Sequence, residues 1–270
     1  MRAASRALPG PRRLPGFLIL GEKRCGTTSL HRYITQHPNV LGPLAPKSTH
    51  YFDTKFGKNL DWYGSYFWPE TIVEKLEEKN GPMLAGESSP YYFFHPTAPE
   101  RIAQTLPDVK VLVLLREPAK RAWSNFQYER DKGNEMMSFA EAIAAEPART
   151  IGEEQRLRDD VHYVSRLHRT FSYVDRGRYY RSLTRLYRSI PPDRVQVVRS
   201  EDLYGDTAGV MSTVQDFLGL APVPVENTAA GRANRPEKAP VEVLQHIRTT
   251  LADDTAALNE LLGRQLWGAT

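Results

Sequence analysis

The residues best suited to binding an anion follow the first apolar run of the chain, residues 17–20. Gly21 and Gly26 enclose a short charged stretch, and two threonines and a serine come directly after it. A strand, a glycine-bounded loop and a helix in this order direct backbone N–H groups at a phosphate-like group. A plain strand-to-helix turn is the alternative interpretation. The adjacent threonines and the cationic Arg24 favour an anion-binding loop.

The same loop lacks the features that hold a metal-bound γ-phosphate. Thr27 stands after the second glycine, where nucleoside triphosphatases carry lysine. The strongest predicted strand, residues 109–115, is followed by Arg116 and not by an aspartate that could hold magnesium. The sequence therefore predicts a phosphate-like ligand bound without a metal ion. A P-loop nucleotide kinase is the alternative enzyme class.

A second candidate site begins at Arg116, at the carboxyl end of that strand. Open α/β sheets bind their ligands at this edge. Ser124 lies about two turns inside the helix predicted over residues 119–132, so both side chains could reach one phosphate. A helix-capping segment with solvated charges at Glu117, Lys120 and Arg121 is the alternative interpretation.

Together the two motifs resemble the sulfotransferases that use 3′-phosphoadenosine-5′-phosphosulfate (PAPS), most closely the heparan-sulfate-type branch and its bacterial relatives. The resemblance covers about residues 16–220. It implies transfer of a sulfuryl group to a hydroxyl or amine of a small-molecule, glycolipid or carbohydrate acceptor. It implies that the 3′-phosphate is held by Arg116 and Ser124. The residues implied for the 5′-phosphosulfate are Arg24, Cys25, Gly26, Thr27, Thr28 and Ser29.

Three further residues are candidates for the nucleotide side. Tyr179 follows a Gly-Arg pair that also matches the family, although an aromatic side chain here could equally belong to the core. Arg232 and Arg235 lie in a basic loop near the place where the family closes over its co-substrate. A solvated loop is the alternative for these two arginines.

The acceptor side departs from the family pattern. Heparan-type enzymes read Lys-Glu-x-His-Phe-Phe-Asp, with glutamate as the catalytic base, and this chain has Ser48 in the glutamate position. His50 is the first candidate for the base, because related cytosolic sulfotransferases use histidine and positions 48 and 50 of an extended stretch share a face. Asp53 could orient His50, and Glu87 is the second candidate. A non-catalytic protein that binds PAPS or its product stays open.

The elements that must position these residues alternate between strand and helix. Apolar runs predict strands at 17–20, 83–87, 109–115 and 194–198, and helical periodicity predicts helices at 27–36, 119–132, 207–218 and 241–262. Continuous apolar strands suit a parallel sheet covered on both faces. The predicted fold class is therefore α/β, a single-domain P-loop-like parallel sheet flanked by helices.

Charge and composition limit the remaining possibilities. Four arginines and no acidic residue lie in positions 1–15, and removing them from the 36 basic residues leaves 32, equal to the 32 acidic residues. We therefore expect a disordered basic tail over 1–15, a neutral domain over 16–270, and no nucleic-acid partner. No run of apolar residues is long enough for a membrane span. The single cysteine excludes an intramolecular disulfide, and we expect a bacterial, cytoplasmic enzyme.

Overall fold

Five parallel strands form one sheet in the order β2-β3-β1-β4-β5. The computed structural model describes residues 10–44, 46–226, 228 and 237–267. The predicted α/β fold with a parallel sheet flanked by helices is confirmed. The strands are β1 Phe17–Gly21, β2 Val40–Leu41, β3 Leu84–Ser88, β4 Lys110–Leu115 and β5 Val195–Arg199.

The two central strands divide their side chains between two hydrophobic cores. Leu18 and Leu20 of β1 point into one core, while Phe17 and Ile19 point into the other. Strand β4 alternates in the same way. Because side chains of a strand alternate between faces, a run with no polar position requires helices on both sides of the sheet.

Thirteen α-helices lie in the described residues, some of them single turns. The first and eleventh cover one face of the sheet, and the fourth, ninth and thirteenth cover the other. None of the described helices is both long and apolar enough to cross a bilayer. In chain order they are α1 Thr27–Ile34, α2 Leu60–Gly64, α3 Glu70–Asn80, α4 Ala98–Thr105, α5 Pro118–Asp131, α6 Phe139–Thr150, α7 Glu153–Asp159, α8 Arg166–Phe171, α9 Tyr179–Tyr187, α10 Ser200–Gly205, α11 Thr207–Leu218, α12 Val241–Thr250 and α13 Ala252–Leu262.

The carboxyl-terminal helix predicted over 241–262 is in fact two helices, α12 and α13, that meet at Leu251. Ile247 and Leu251 pack in the core around α5, whereas Leu258 packs in the core around α9. The apolar spacing is helical throughout, so periodicity alone could not locate the change of direction. Packing against two different partners explains why the chain bends here.

The first residues described by the structure are attached to the domain. The Arg13 guanidinium pairs with Glu70 and lies 2.8 Å from Glu77 Oε1, both on α3. The Arg13 N–H donates to the Trp68 carbonyl oxygen at 3.0 Å, and Pro15 is buried. The predicted disorder therefore does not hold from about residue 11 onward. Residues 1–9 lie outside the described part of the chain, and there the tail stays a prediction.

Candidate active site

The two predicted phosphate sites lie side by side because β1 and β4 are neighbours in the sheet. Gly21, at the end of β1, pairs with Leu114, so the glycine loop and Arg116 leave the same edge. Arg116 Nη1 lies 3.4 Å from the Arg24 carbonyl oxygen, and Arg24 Nε donates to Ser124 Oγ at 3.1 Å. The structure thus brings together the three side chains that the two motifs predicted.

The path of the loop requires glycine at both of its ends. Gly21 has φ 122°, and a Cβ built on it would lie 2.2 Å from the Leu114 carbonyl oxygen. Gly26 precedes α1 with φ 93°, and a Cβ there would lie 2.8 Å from Tyr204 Oη. Gly26 offers no side-chain cap, so the first N–H groups of α1 remain available to an anion. Arg24 itself has φ 76°, a left-handed conformation that is costly for arginine.

A tyrosine that sequence reasoning missed lies beneath the cationic side of this loop. The Lys23 ammonium and the Arg24 guanidinium lie 4.4 Å and 5.1 Å from the centre of the Tyr128 ring. Tyr128 is one helical turn beyond Ser124, and this i, i+4 spacing was the available signal. Lys23 also pairs with Glu129, and burial lowers the pKa of Lys23 to about 8 despite that partner.

Other predicted nucleotide-side residues are placed differently. Cys25 is fully buried, and burial raises the pKa of its thiol to about 12, so only its backbone belongs to the loop surface. Tyr179 is 1% exposed and donates from Oη to the Arg116 carbonyl oxygen at 2.9 Å. Thr28 is exposed, and Ser29 Oγ lies 3.2 Å from Tyr204 Oη. Tyr179 therefore positions Arg116 from within the core.

Buried charged side chains hold the glycine loop to the domain. Glu22 is 0% exposed, and its Oε2 lies 3.0 Å from Arg176 Nε. Burial raises the pKa of Glu22, and the charges of Arg176 and Arg121 oppose that rise. Arg121 is also fully buried and donates to the Tyr173 carbonyl oxygen. The alternative interpretation, in which Arg121 is a solvated charge, therefore does not hold, because this side chain is buried and its guanidinium lies inside the domain.

On the acceptor side, the predicted His50–Asp53 pair is present. His50 Nδ1 lies 2.9 Å from Asp53 Oδ2, and His50 Nε2 lies 3.2 Å from Arg169 Nη2. Burial alone would raise the pKa of Asp53, but the hydrogen bond from His50 and the nearby positive charges lower it. Arg169 belongs to α8 and lies in no motif, so only the fold could reveal its contact with His50.

The backbone around His50 differs from the predicted extended stretch. His50 has φ 59°, and residues 51–54 form a turn. The expectation that positions 48 and 50 share a face is therefore wrong, because a left-handed residue breaks strand alternation. Ser48 Oγ donates to the Ser88 carbonyl oxygen, and Lys47 Nζ donates to Ser88 Oγ at 3.2 Å. Burial lowers the pKa of Lys47 to about 8.

Glu87 is fully buried and lies at the centre of a hydrogen-bond network. Its Oε1 accepts from Thr49 N, Thr49 Oγ1, Ser89 Oγ and Tyr92 Oη at 2.6–2.9 Å. Its Oε2 accepts from Tyr63 Oη at 2.9 Å. A carboxylate with this many donors and no exposure cannot reach an acceptor, so the structure argues against Glu87 as the base. Its contacts instead hold the loop that carries His50.

Two predicted arginines and the possibility of a bound metal ion remain for this site. Arg232 and Arg235 lie outside the described residues, so their predicted contact with the 3′-phosphate stays a prediction. Within the ranges that the structure describes, no group of three or more His, Cys, Asp or Glu side chains is arranged to hold a metal ion.

Comparisons with known proteins agree with this geometry. The sulfotransferase domain family matches residues 14–235. The human heparan sulfate glucosamine 3-O-sulfotransferase 6 is 32% identical over 214 residues, which cover 78% of this chain and 54% of that protein. The human bifunctional heparan sulfate N-deacetylase/N-sulfotransferase 3 is 28% identical over 222 residues, which cover 78% of this chain and 23% of that protein. The chain thus spans from about a quarter to about half of the length of these relatives.

A solved structure covers nearly the whole chain. The crystal structure of a sulfotransferase from Alicyclobacillus acidocaldarius superposes with a TM-score of 0.71 at 27% identity, covering 94% of this chain and 98% of that one. The matched segment contains both phosphate motifs and the His50 loop. The chain therefore belongs to the PAPS-dependent sulfotransferase family.

Proposed function

We propose that this chain transfers a sulfuryl group from PAPS to a hydroxyl or amine of a small-molecule, glycolipid or carbohydrate acceptor. The observation that carries the proposal is the contact of Arg24 with both Ser124 and Arg116 at the adjoining ends of β1 and β4. This contact joins the loop suited to a 5′-phosphosulfate to the pair suited to a 3′-phosphate. Such an arrangement fits a nucleotide that carries phosphates at both positions.

The residues present fit the donor nucleotide. Glycines at both ends of the loop allow close approach of an anion, and the uncapped start of α1 supplies N–H donors to the 5′ end. Arg116 and Ser124 would hold the 3′-phosphate, joined in our proposal by Arg232 and Arg235. The buried pair of Glu22 and Arg176 fixes the loop before the nucleotide binds, which reduces the entropic cost of binding.

The reaction requires charge stabilisation at one end and a base at the other. The acceptor oxygen or nitrogen attacks sulfur, the bond from sulfur to the 5′-phosphate oxygen breaks, and 3′-phosphoadenosine-5′-phosphate (PAP) leaves. Arg24 stabilises the negative charge that develops on the leaving oxygen. His50 Nε2 takes the acceptor proton, and Asp53 orients the ring through Nδ1.

The relatives also bear on the acceptor class and the cellular location. The human relatives named above are heparan sulfate glucosamine 3-O- and N-sulfotransferases, and this favours a glycan acceptor for this chain. The Alicyclobacillus relative and the buried, unpaired Cys25 favour a bacterial, reducing cytoplasm.

A transfer assay tests this function directly. Purified protein is incubated with ³⁵S-labelled PAPS, excess EDTA and a panel containing heparosan oligosaccharides, alkyl glycosides, phenols and amines. We expect label in at least one acceptor and release of PAP, with no requirement for magnesium. Magnesium-dependent phosphoryl transfer from ATP would favour the kinase alternative. Tight binding of PAP with no transfer to any acceptor would favour a non-catalytic nucleotide-binding protein.

A further inference from the structure

Three side chains from two segments form a continuous line on the acceptor side. The line runs from Asp53 Oδ2 to His50 Nδ1 and from His50 Nε2 to Arg169 Nη2, with separations of 2.9 Å and 3.2 Å. Asp53 is buried, whereas the His50 side chain is 29% exposed, so the line leads outward from the core. The imidazole therefore has a partner on each nitrogen.

The chemistry of the two partners defines the protonation state of the ring. Asp53 is held ionised and can only accept, so His50 Nδ1 must donate. The Arg169 guanidinium can only donate, so His50 Nε2 must accept. His50 in this arrangement is neutral, with its hydrogen on Nδ1 and its lone pair on Nε2. That is the form a general base needs.

We propose that Arg169 is a positioning residue that holds His50 as the neutral Nδ1–H tautomer in the empty site and leaves Nε2 when the acceptor hydroxyl or amine arrives. The proposal rests on the proposed function, in which His50 is the base. A lone pair on one nitrogen accepts one strong hydrogen bond, so the acceptor O–H or N–H must replace the guanidinium N–H. No covalent bond changes in this exchange. After transfer the proton is on Nε2.

Among the charged and titratable groups described near the His50 ring, Arg169 is the one in contact with Nε2. Arg101 donates from Nη1 to the backbone carbonyl of Phe52 at 3.1 Å, and it influences Asp53 rather than Nε2. Burial lowers the pKa of His95 to about 3 and that of His168 to about 2, so both are neutral at working pH. Tyr91 and Tyr92 also lie near Asp53, and burial raises the pKa of each, so both stay neutral.

A second contact would keep the Arg169 guanidinium near the site after it leaves His50 Nε2. It lies 5.5 Å from the centre of the Tyr91 ring, a distance at which a cation and an aromatic face still attract. Tyr91 is itself fixed by a 2.8 Å contact between its hydroxyl and His168 Nδ1. A guanidinium displaced from Nε2 therefore keeps one attractive partner, which lowers the cost of the exchange.

Nitrogen-15 NMR of histidine-labelled full-length protein tests the proposal without a known acceptor. His50→Gln assigns the His50 resonances among the seven histidines. We expect wild type to show the Nδ1–H tautomer. Arg169→Met removes both donor and charge, and it should raise the pH midpoint of His50 titration by about one unit, because a cation beside the ring opposes its protonation.

Two conservative variants separate charge from hydrogen bonding. Arg169→Lys keeps the charge and should leave the midpoint near wild type. Arg169→Gln keeps an N–H donor without charge, so it should preserve the tautomer while raising the midpoint. Arg166→Gln is the matched control, since Arg166 lies on the same helix but contacts Asn134 at 3.2 Å. PAP affinity and circular dichroism check that each variant folds.

The outcomes for the base and for Arg169 are distinguishable. An unchanged His50 midpoint in folded Arg169→Met and Arg169→Gln overturns the positioning role, even if His50 is essential for transfer. Full transfer activity in His50→Gln overturns the proposed base, whatever the NMR shows. If Arg169→Met and Arg169→Gln shift the His50 midpoint and Arg166→Gln does not, the proposal stands.

Discussion

The nucleotide side and the acceptor side of this site are built in different ways. The nucleotide side consists of two strand–loop–helix segments on adjacent strands, with Arg24 in contact with both Arg116 and Ser124. The acceptor side is built from the long connection that carries His50, the end of β3 and the helix that carries Arg169. Each half of the nucleotide side lies within one strand–loop–helix segment, and the pairing of β1 with β4 joins the two halves, whereas the acceptor side is assembled from segments that share no such motif.

This difference shows which positions of the site restrict substitution. A Cβ at Gly21 would collide with the backbone of β4, so this end of the nucleotide loop requires glycine. On the acceptor side, Ser48 replaces a glutamate of the family pattern, and the neighbouring Thr49 is still held by two hydrogen bonds to Glu87. Close packing therefore fixes the start of the nucleotide loop, whereas the loop that carries His50 keeps its hydrogen bonds to Glu87 with serine in the glutamate position.

The largest effect should come from His50→Ala, because this change removes the base while leaving the nucleotide loop intact. We expect kcat to fall by about 10²–10⁴ with PAP affinity unchanged. Ser48→Ala is the matched control from the same loop and should change kcat by less than about threefold. The check is single-turnover transfer from labelled PAPS. Equal losses in the two variants would contradict the division of roles.

The next effect is expected for Arg24→Ala on the nucleotide side. Its charge is needed mainly as the leaving oxygen becomes negative, so kcat should fall by about 10²–10³ while PAP binding weakens far less. Arg24→Lys keeps the charge and should retain most of the activity. Steady-state kinetics with varied PAPS distinguishes the cases. A normal kcat with a raised KM for PAPS would assign Arg24 to ground-state binding alone.

Arg116→Ala should weaken PAP binding by about 2–4 kcal/mol, through loss of a charge-assisted phosphate contact. Adenosine 5′-phosphate lacks the 3′-phosphate and should bind wild type and variant almost equally. Calorimetry with both nucleotides measures this difference. If wild type bound the two nucleotides with one affinity, the assignment of Arg116 and Ser124 to the 3′-phosphate would be wrong.

The smallest effect is expected for two half-buried lysines, one on the nucleotide side and one on the acceptor side. The pKa of Lys23 and that of Lys47 are both lowered to about 8. Below pH 8 both are charged at a cost to the folded state, and this cost falls as pH rises from 8 towards the unfolded value of about 10.4. Lys47→Met should therefore stabilise the protein by about 1 kcal/mol at pH 7 and less at pH 10.

Lys23→Met should act in the opposite direction at pH 7. Its partner Glu129 has a side chain that is 2% exposed, and removing the lysine leaves that carboxylate buried without its cation. Thermal unfolding at pH 7 and pH 10 compares the variants with wild type. Destabilisation by both changes at pH 7 would show that the Lys47–Ser88 contact outweighs the cost of burying the ammonium.

The sequence predicted much of the nucleotide side because its signals are local. The apolar runs of β1 and β4 mark buried parallel strands, and the glycine and arginine positions follow from where those strands end. Periodicity could not reveal the break at Leu251, because both halves keep helical spacing. A single sequence does not reveal the left-handed backbone of His50 or the burial of Glu87 and Arg121, because these features depend on tertiary packing.

The pairing of Gly21 with Leu114 has a consequence for nucleotide selection. Strand register changes only in whole residues, each about 3.3 Å long. The separation between the backbone of the loop that would receive the 5′ group and the backbone of Arg116 is therefore set by this register. Nucleotides whose phosphates follow one another on a single ribose hydroxyl, such as ADP, would present their charges at a different spacing. In the proposed binding mode, the hydrogen-bonded centre of the sheet would therefore favour ligands with two phosphates on opposite sides of one ribose.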